Sequence, residues 1–160
     1  MDTIICAILA ILLSLTTLQA MFFYFGMLKV RFIEWVFVNP CSISNLVFLV
    51  GSLVFLLSGS WMIMYIAALP LFFFGTQGLF IFSWRGMNLI PQASHLLMTI
   101  SLLWMIIRSL QQGHFLEATA GLLISILIFT PFIAAQQAYI HKHHDRIQQL
   151  LQPETWLKPA

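Results

Sequence analysis

The chain has 160 residues, of which 61% are hydrophobic and only 8% charged, with a net charge of +2. Soluble domains carry roughly 25% charged residues, so this composition sets the chain outside the soluble class and into a lipid bilayer. Seven Lys plus Arg against five Asp plus Glu make a charge too small and too dispersed for a nucleic-acid partner, and no groove-reading motif occurs.

A helix needs about 20 apolar residues to cross about 30 Å of hydrocarbon, and five segments meet that length. The first covers 3–26. Asp2 stands where a signal peptide would carry Lys or Arg and no clear A-x-A site follows, so a retained first span is expected. Residues 31–38, RFIEWVFV, mix charge with bulky apolar groups and predict a short connector along the inner interface, with Glu34 in reach of water. The second span covers 39–58, with Asn39 as N-cap and Pro40 at the first helical position, where a missing N–H is harmless. The Ser-Gly-Ser motif at 58–60 then divides an apolar run over 46–82 that is too long for one crossing.

The third span covers 61–84 and the fourth 88–110, joined by a turn at Arg85, Gly86 and Met87. The fifth covers 117–140. Residues 141–160 form a cytoplasmic tail, an overhang of the fifth helix with Ile147, Leu150 and Leu151 at helical spacing and Pro153 as a stop. No internal repeat of useful strength and no low-complexity segment stands out. The fold class is therefore all-α: a compact bundle of five transmembrane helices in a single domain, 1–140, followed by the tail.

Charge placement supports that count, because cytoplasmic loops carry excess Lys and Arg. Five spans put Lys29, Arg31, Arg85, Lys142, Arg146 and Lys158 on one side and only Arg108 towards the other. The N-terminus is then outside and the C-terminus inside. Tyr24, Trp35, Trp84 and Tyr139 fall near the inner interface, and Trp61 and Trp104 nearer the outer one. Cys6 and Cys41 lie near opposite faces and should not form a disulfide. Arg108 is expected to snorkel and to pair with Glu117 across a short loop.

The third and fourth spans form a hairpin, so residues equally far from its turn share a depth. Gln77 and His95 each lie nine residues from Gly86, about 13 Å along the helix. By the same ruler Gln19 and Thr130 fall in the inner half, with Gln136 and Gln137 shallower. An unpaired amide or imidazole in hydrocarbon is unfavourable by several kcal/mol, so these groups must turn towards one another, backbone or water. Pro70, Gly75, Gly78 and Pro131 open backbone groups on the same helices. The expected ligand-binding set is His95, Gln77, Gln19 and Thr130.

Other chemistry is thinner. His141, His144 and Asp145 share a face if the tail is one helix, giving three ligands for Zn, Ni or Cu, against a solvated face meeting lipid head groups. No other cofactor is expected. Nucleophilic catalysis lacks parts, since Asp2, Glu34, Glu117, Asp145 and Glu154 all lie at or beyond the interfaces, and Ser94 points away from its neighbour His95. Three functions fit: a protein binding or translocating a small, largely apolar molecule or an ion in an inner-half pocket, as a homo-oligomer, with aromatic walls from Phe72, Phe73, Phe74, Phe80 and Phe82; an accessory subunit of a larger membrane complex, with Gly51, Ser52, Gly75 and Gly78 at close helix contacts; or an intramembrane enzyme using His95.

Overall fold

Five helices long and apolar enough to cross a membrane organise the computed structural model: Asp2–Met27, Pro40–Ser58, Met62–Phe80, Leu89–Gln112 and Phe115–Lys142, here spans one to five. Residues 1–81 and 89–151 are described, and no strand occurs among them. Phe82, Trp84, the turn at Arg85, Gly86 and Met87, and the tail beyond Leu151, with Glu154 and Lys158, lie outside the described residues.

Local chemistry sets the ends. Asn39 Oδ1 accepts from the Ser42 amide at 3.4 Å with Pro40 at the first helical position, and Gly59 closes span two in a left-handed conformation at φ 73°. Gly113 does the same between spans four and five at φ 75°. The connector is a helix, Phe32–Val38, whose first turn is tied by the Arg31 amide donating to Glu34 Oε2 at 2.9 Å.

Span three is irregular around Pro70. Pro70 has no N–H to give to the carbonyl four residues back, and the helix breaks into short pieces around Ala67. The freed carbonyl of Ile66 is taken by Ser125 Oγ of span five, which donates to it at 2.6 Å. Pro131 has no such effect: it is exposed, and span five runs unbroken past it.

Spans one to four pack in chain order, each on the next, and span four returns to span one; span five lies outside, against span three. Small residues permit the closest crossings. A Cβ at Gly51 would meet the Ile63 carbonyl oxygen at 3.1 Å, and one at Gly121 would strike the Met62 carbonyl and Tyr65. The core within the ring is built on Leu13, Phe48, Met64, Leu71, Met98 and Met105.

The architecture also shows a repeat that the residue identities hide. Spans one and three each contain a π-helical turn, Phe22–Met27 (FFYFGM) and Leu71–Thr76 (LFFFGT). Six of the seven buried positions of span two, Ser42, Asn45, Phe48, Gly51, Ser52 and Phe55, recur fifty places later as Gln92, His95, Met98, Ser101, Leu102 and Met105, while Ser44 answers to half-buried Ser94. Spans two and four thus bury largely the same positions with different side chains.

The two ends of the bundle differ. At the end holding Asp2, Arg108 grips that carboxylate bidentately, Nε to Oδ1 at 2.6 Å and a second guanidinium nitrogen to Oδ2 at 2.7 Å. The expected partner, Glu117, instead accepts from the Trp61 amide at 2.8 Å and faces His114. Span one runs antiparallel to span four, which is why Asp2 reaches Arg108 first. Trp61 and Trp104 are buried against each other in the core, with ring centroids 5.4 Å apart.

At the other end the connector is clamped. Trp35 is 1% exposed beneath Phe25, Phe32 and Leu150, Gln136 Nε2 donates to the Phe37 carbonyl at 2.9 Å, and Arg146 lies 3.5 Å from Glu34. The tail is not an overhang of span five. The chain turns at His143 and begins a separate helix, His144–Leu151, which folds Leu150 back onto Trp35.

Candidate functional site

A polar layer crosses the ring near the connector end, and its centre is His95, 3% exposed. Three spans place its partners. Cys41, the second residue of span two, brings its Sγ to 3.2 Å from His95 Nε2. Gln92, one turn before His95 on span four, holds Oε1 3.1 Å from Nδ1. Gly78 of span three lies flat on the ring: a Cβ there would come within 2.7 Å of the imidazole.

The tautomer decides the proton positions. With the ring proton on Nδ1, the Gln92 amide oxygen accepts it and Nε2 presents its lone pair to Cys41. The thiol has two acceptors in reach, Nε2 at 3.2 Å and the Phe74 carbonyl at 3.3 Å. That carbonyl belongs to the π-helical turn after Pro70, where ladder bonding is irregular.

A second strand of the layer links spans one, two and four. Asn45 is 1% exposed, and its Nδ2 donates to Thr17 Oγ1 at 3.1 Å and to Ser94 Oγ at 3.4 Å; Ser94 Oγ in turn donates to Thr16 Oγ1 at 3.4 Å. Asn45 Oδ1 is buried with no hydrogen-bond partner among the described residues. Thr99 Oγ1 reaches Thr76 Oγ1 at 3.2 Å, completing the crossing into span three.

Of the residues expected from sequence, His95 sits at the heart of the layer. Gln77 is half-buried next to Gly78 and makes no hydrogen bond to His95 among the described residues. Gln19 and Thr130 were placed in the same layer by depth, but both are exposed, because their helices turn Thr17 and Phe129 inward instead. Phe72 and Phe80 face outward, at 49% and 85% exposure. Depth along a helix is readable from spacing, whereas rotation about its axis is set by packing.

The metal reading loses its geometric premise. His141 and His144 lie on either side of the break at His143, and both are exposed with Asp145. No three His, Cys, Asp or Glu side chains converge to hold an ion among the described residues. Cys6 and Cys41 are both free thiols.

Sequence reasoning missed Cys41, Gln92 and Asn45. One signal could have found Cys41: it directly follows the Asn39-Pro40 helix start, a position where a thiol meets the unpaired amides of a helix N-terminus. No family model, no curated protein and no solved structure matches this chain.

Proposed function

We propose that this chain is an integral membrane protein, N-terminus outside and C-terminus inside, whose polar layer binds a small, largely apolar molecule through one hydrogen-bonding end. The observation that carries this reading is Asn45 Oδ1, a fully buried acceptor without a partner among the described residues, set among Thr16, Thr17 and Ser94 in an apolar bundle. An unmet buried acceptor is unfavourable by about 1–3 kcal/mol, so a guest bearing a hydroxyl or amine gains that contact on entry. Binding sites of this kind are mostly apolar, with few polar groups that fix orientation.

Charge supports the orientation. Lys29, Arg31, Lys142 and Arg146 gather at the connector end, and Arg108 at the far end is neutralised by Asp2. Gly51, Gly75 and Gly78, which the accessory-subunit reading puts at close helix contacts, meet Met64, Met98 and His95 of the same chain. Native mass spectrometry after gentle detergent release tests the proposal. A reproducible small-molecule adduct on a monomer or homo-oligomer, lost in Asn45→Leu and kept in Gln19→Leu, supports it; stoichiometric foreign subunits without an adduct would overturn it.

A further inference from the structure

The geometry points to a second capability of the same layer: Cys41 is a nucleophile for acyl transfer, with His95 as its base and Gln92 as the positioning residue. Nucleophile, base and orienter stand in one hydrogen-bonded line, Sγ to Nε2 at 3.2 Å and Nδ1 to Oε1 at 3.1 Å, contributed by two different spans. This is the arrangement that activates a thiol, and it is defined by geometry rather than by residue order. In the tautomer protonated at Nδ1, the Gln92 oxygen accepts that proton and Nε2 turns its lone pair to sulfur.

Three further features serve the same chemistry. Cys41 is the second residue of a helix of 19 residues, where the positive end of the helix dipole stabilises a thiolate. Its own amide is among the first N–H groups of that helix, which have no intrahelical acceptor and can receive an oxyanion. Cys41 is half-buried, whereas Cys6 is fully buried, so Cys41 is the less enclosed of the two cysteines.

Position selects the substrate class. The thiol lies within the first turn of span two, inside a bundle of five helices apolar enough to cross a membrane, where a long acyl chain can accompany its ester carbonyl. The substrate is therefore a long-chain acyl ester. The choice of an apolar guest rests on the binding reading above; the nucleophile does not. In the first step Sγ attacks the carbonyl carbon and its proton passes to Nε2. The S–C bond forms, the C–O bond breaks, and the departing alkoxide takes the proton from Nε2. In the second step a hydroxyl acceptor, water included, gives its proton to Nε2 and attacks the thioester; the C–S bond breaks and sulfur recovers the proton. No oxidant or reductant is needed.

The test uses the full chain in detergent micelles with p-nitrophenyl palmitate, read by nitrophenolate release and by intact mass. The expected result is a palmitoyl adduct, one per chain, released by hydroxylamine, mapped to Cys41 and absent in Cys41→Ala. His95→Gln should slow its formation by about 100-fold or more, the usual scale of general-base catalysis. Should that variant fail to fold, iodoacetamide on the wild type gives the answer instead: Cys41 must react at least about tenfold faster than Cys6. No adduct on folded wild-type protein, an equal rate in folded His95→Gln, or equal alkylation of the two thiols would overturn the assignment. A retained reversible guest without acylation would leave the binding proposal standing alone, and acylation without any guest would do the reverse.

Discussion

His95 Nε2 lies 3.2 Å from the sulfur of Cys41 across 54 positions of sequence, and the imidazole rests against Gly78 of a third helix. Three spans therefore converge on one ring, and each contact has a measurable consequence.

Gly78 must stay small. An added Cβ would stand 2.7–2.8 Å from the imidazole atoms, so Gly78→Ala either rotates His95 off Cys41 or separates spans three and four. Overpacking of this kind is unfavourable by about 1–3 kcal/mol. The expected outcome is a lower thermal unfolding midpoint in detergent, together with an altered alkylation rate at Cys41. The double variant Gly78→Ala, His95→Ala should recover part of the lost stability, since the clash is with the ring.

Ser125 and Pro70 form a coupled pair through the Ile66 carbonyl. Ser125→Ala leaves that acceptor unmet and should destabilise by about 1–2 kcal/mol. Pro70→Ala restores an N–H to the same carbonyl, so Ser125→Ala should be milder in that background. A double-mutant cycle on unfolding free energies measures the difference, and strict additivity would show that the two residues do not share the acceptor.

Asp2 and Arg108 tie the start of span one to the end of span four with side chains only 18% and 20% exposed. Asp2→Asn or Arg108→Gln should each destabilise by about 1–2 kcal/mol, more than an exposed pair would. The swapped pair, Asp2→Arg with Arg108→Asp, should restore much of the loss. Glu117→Gln should spare this end of span one and loosen only the Trp61 turn, seen as a change in tryptophan fluorescence.

Orientation has a simple readout. Single cysteines at Ser60 and at Gln148, in a Cys6→Ser, Cys41→Ser background, should label from opposite sides of a sealed membrane with an impermeant maleimide. Ser60 should react from outside and Gln148 only after permeabilisation. Labelling of both from one side would contradict the five-span topology.

Much of the scaffold was legible in sequence because its punctuation is local. Asn39-Pro40 starts a helix wherever it stands, and Gly59 ends one. The position of His95 along span four was legible from counting residues. Gln92, three residues before His95 on the same helix, was within reach of spacing. Cys41 was not, because it reaches His95 only through the rotation of spans two and four, which packing decides. For the same reason Gln19 and Thr130 were counted into the layer and lie outside it. The repeat escaped notice because Asn45 and His95, or Phe48 and Met98, share burial and position but not identity. Arg108 was matched to Glu117 by nearness in sequence, and antiparallel packing supplied Asp2 instead.

The central claim is the line from Cys41 through His95 to Gln92. Nitrogen-15 NMR of the ring nitrogens of His95, in protein labelled at histidine and held in micelles, tests it most directly. The account predicts a neutral ring protonated at Nδ1, with an Nε2 resonance that moves in Cys41→Ala and stays in Cys6→Ala. A ring protonated at Nε2, or an Nε2 resonance indifferent to Cys41, would contradict it.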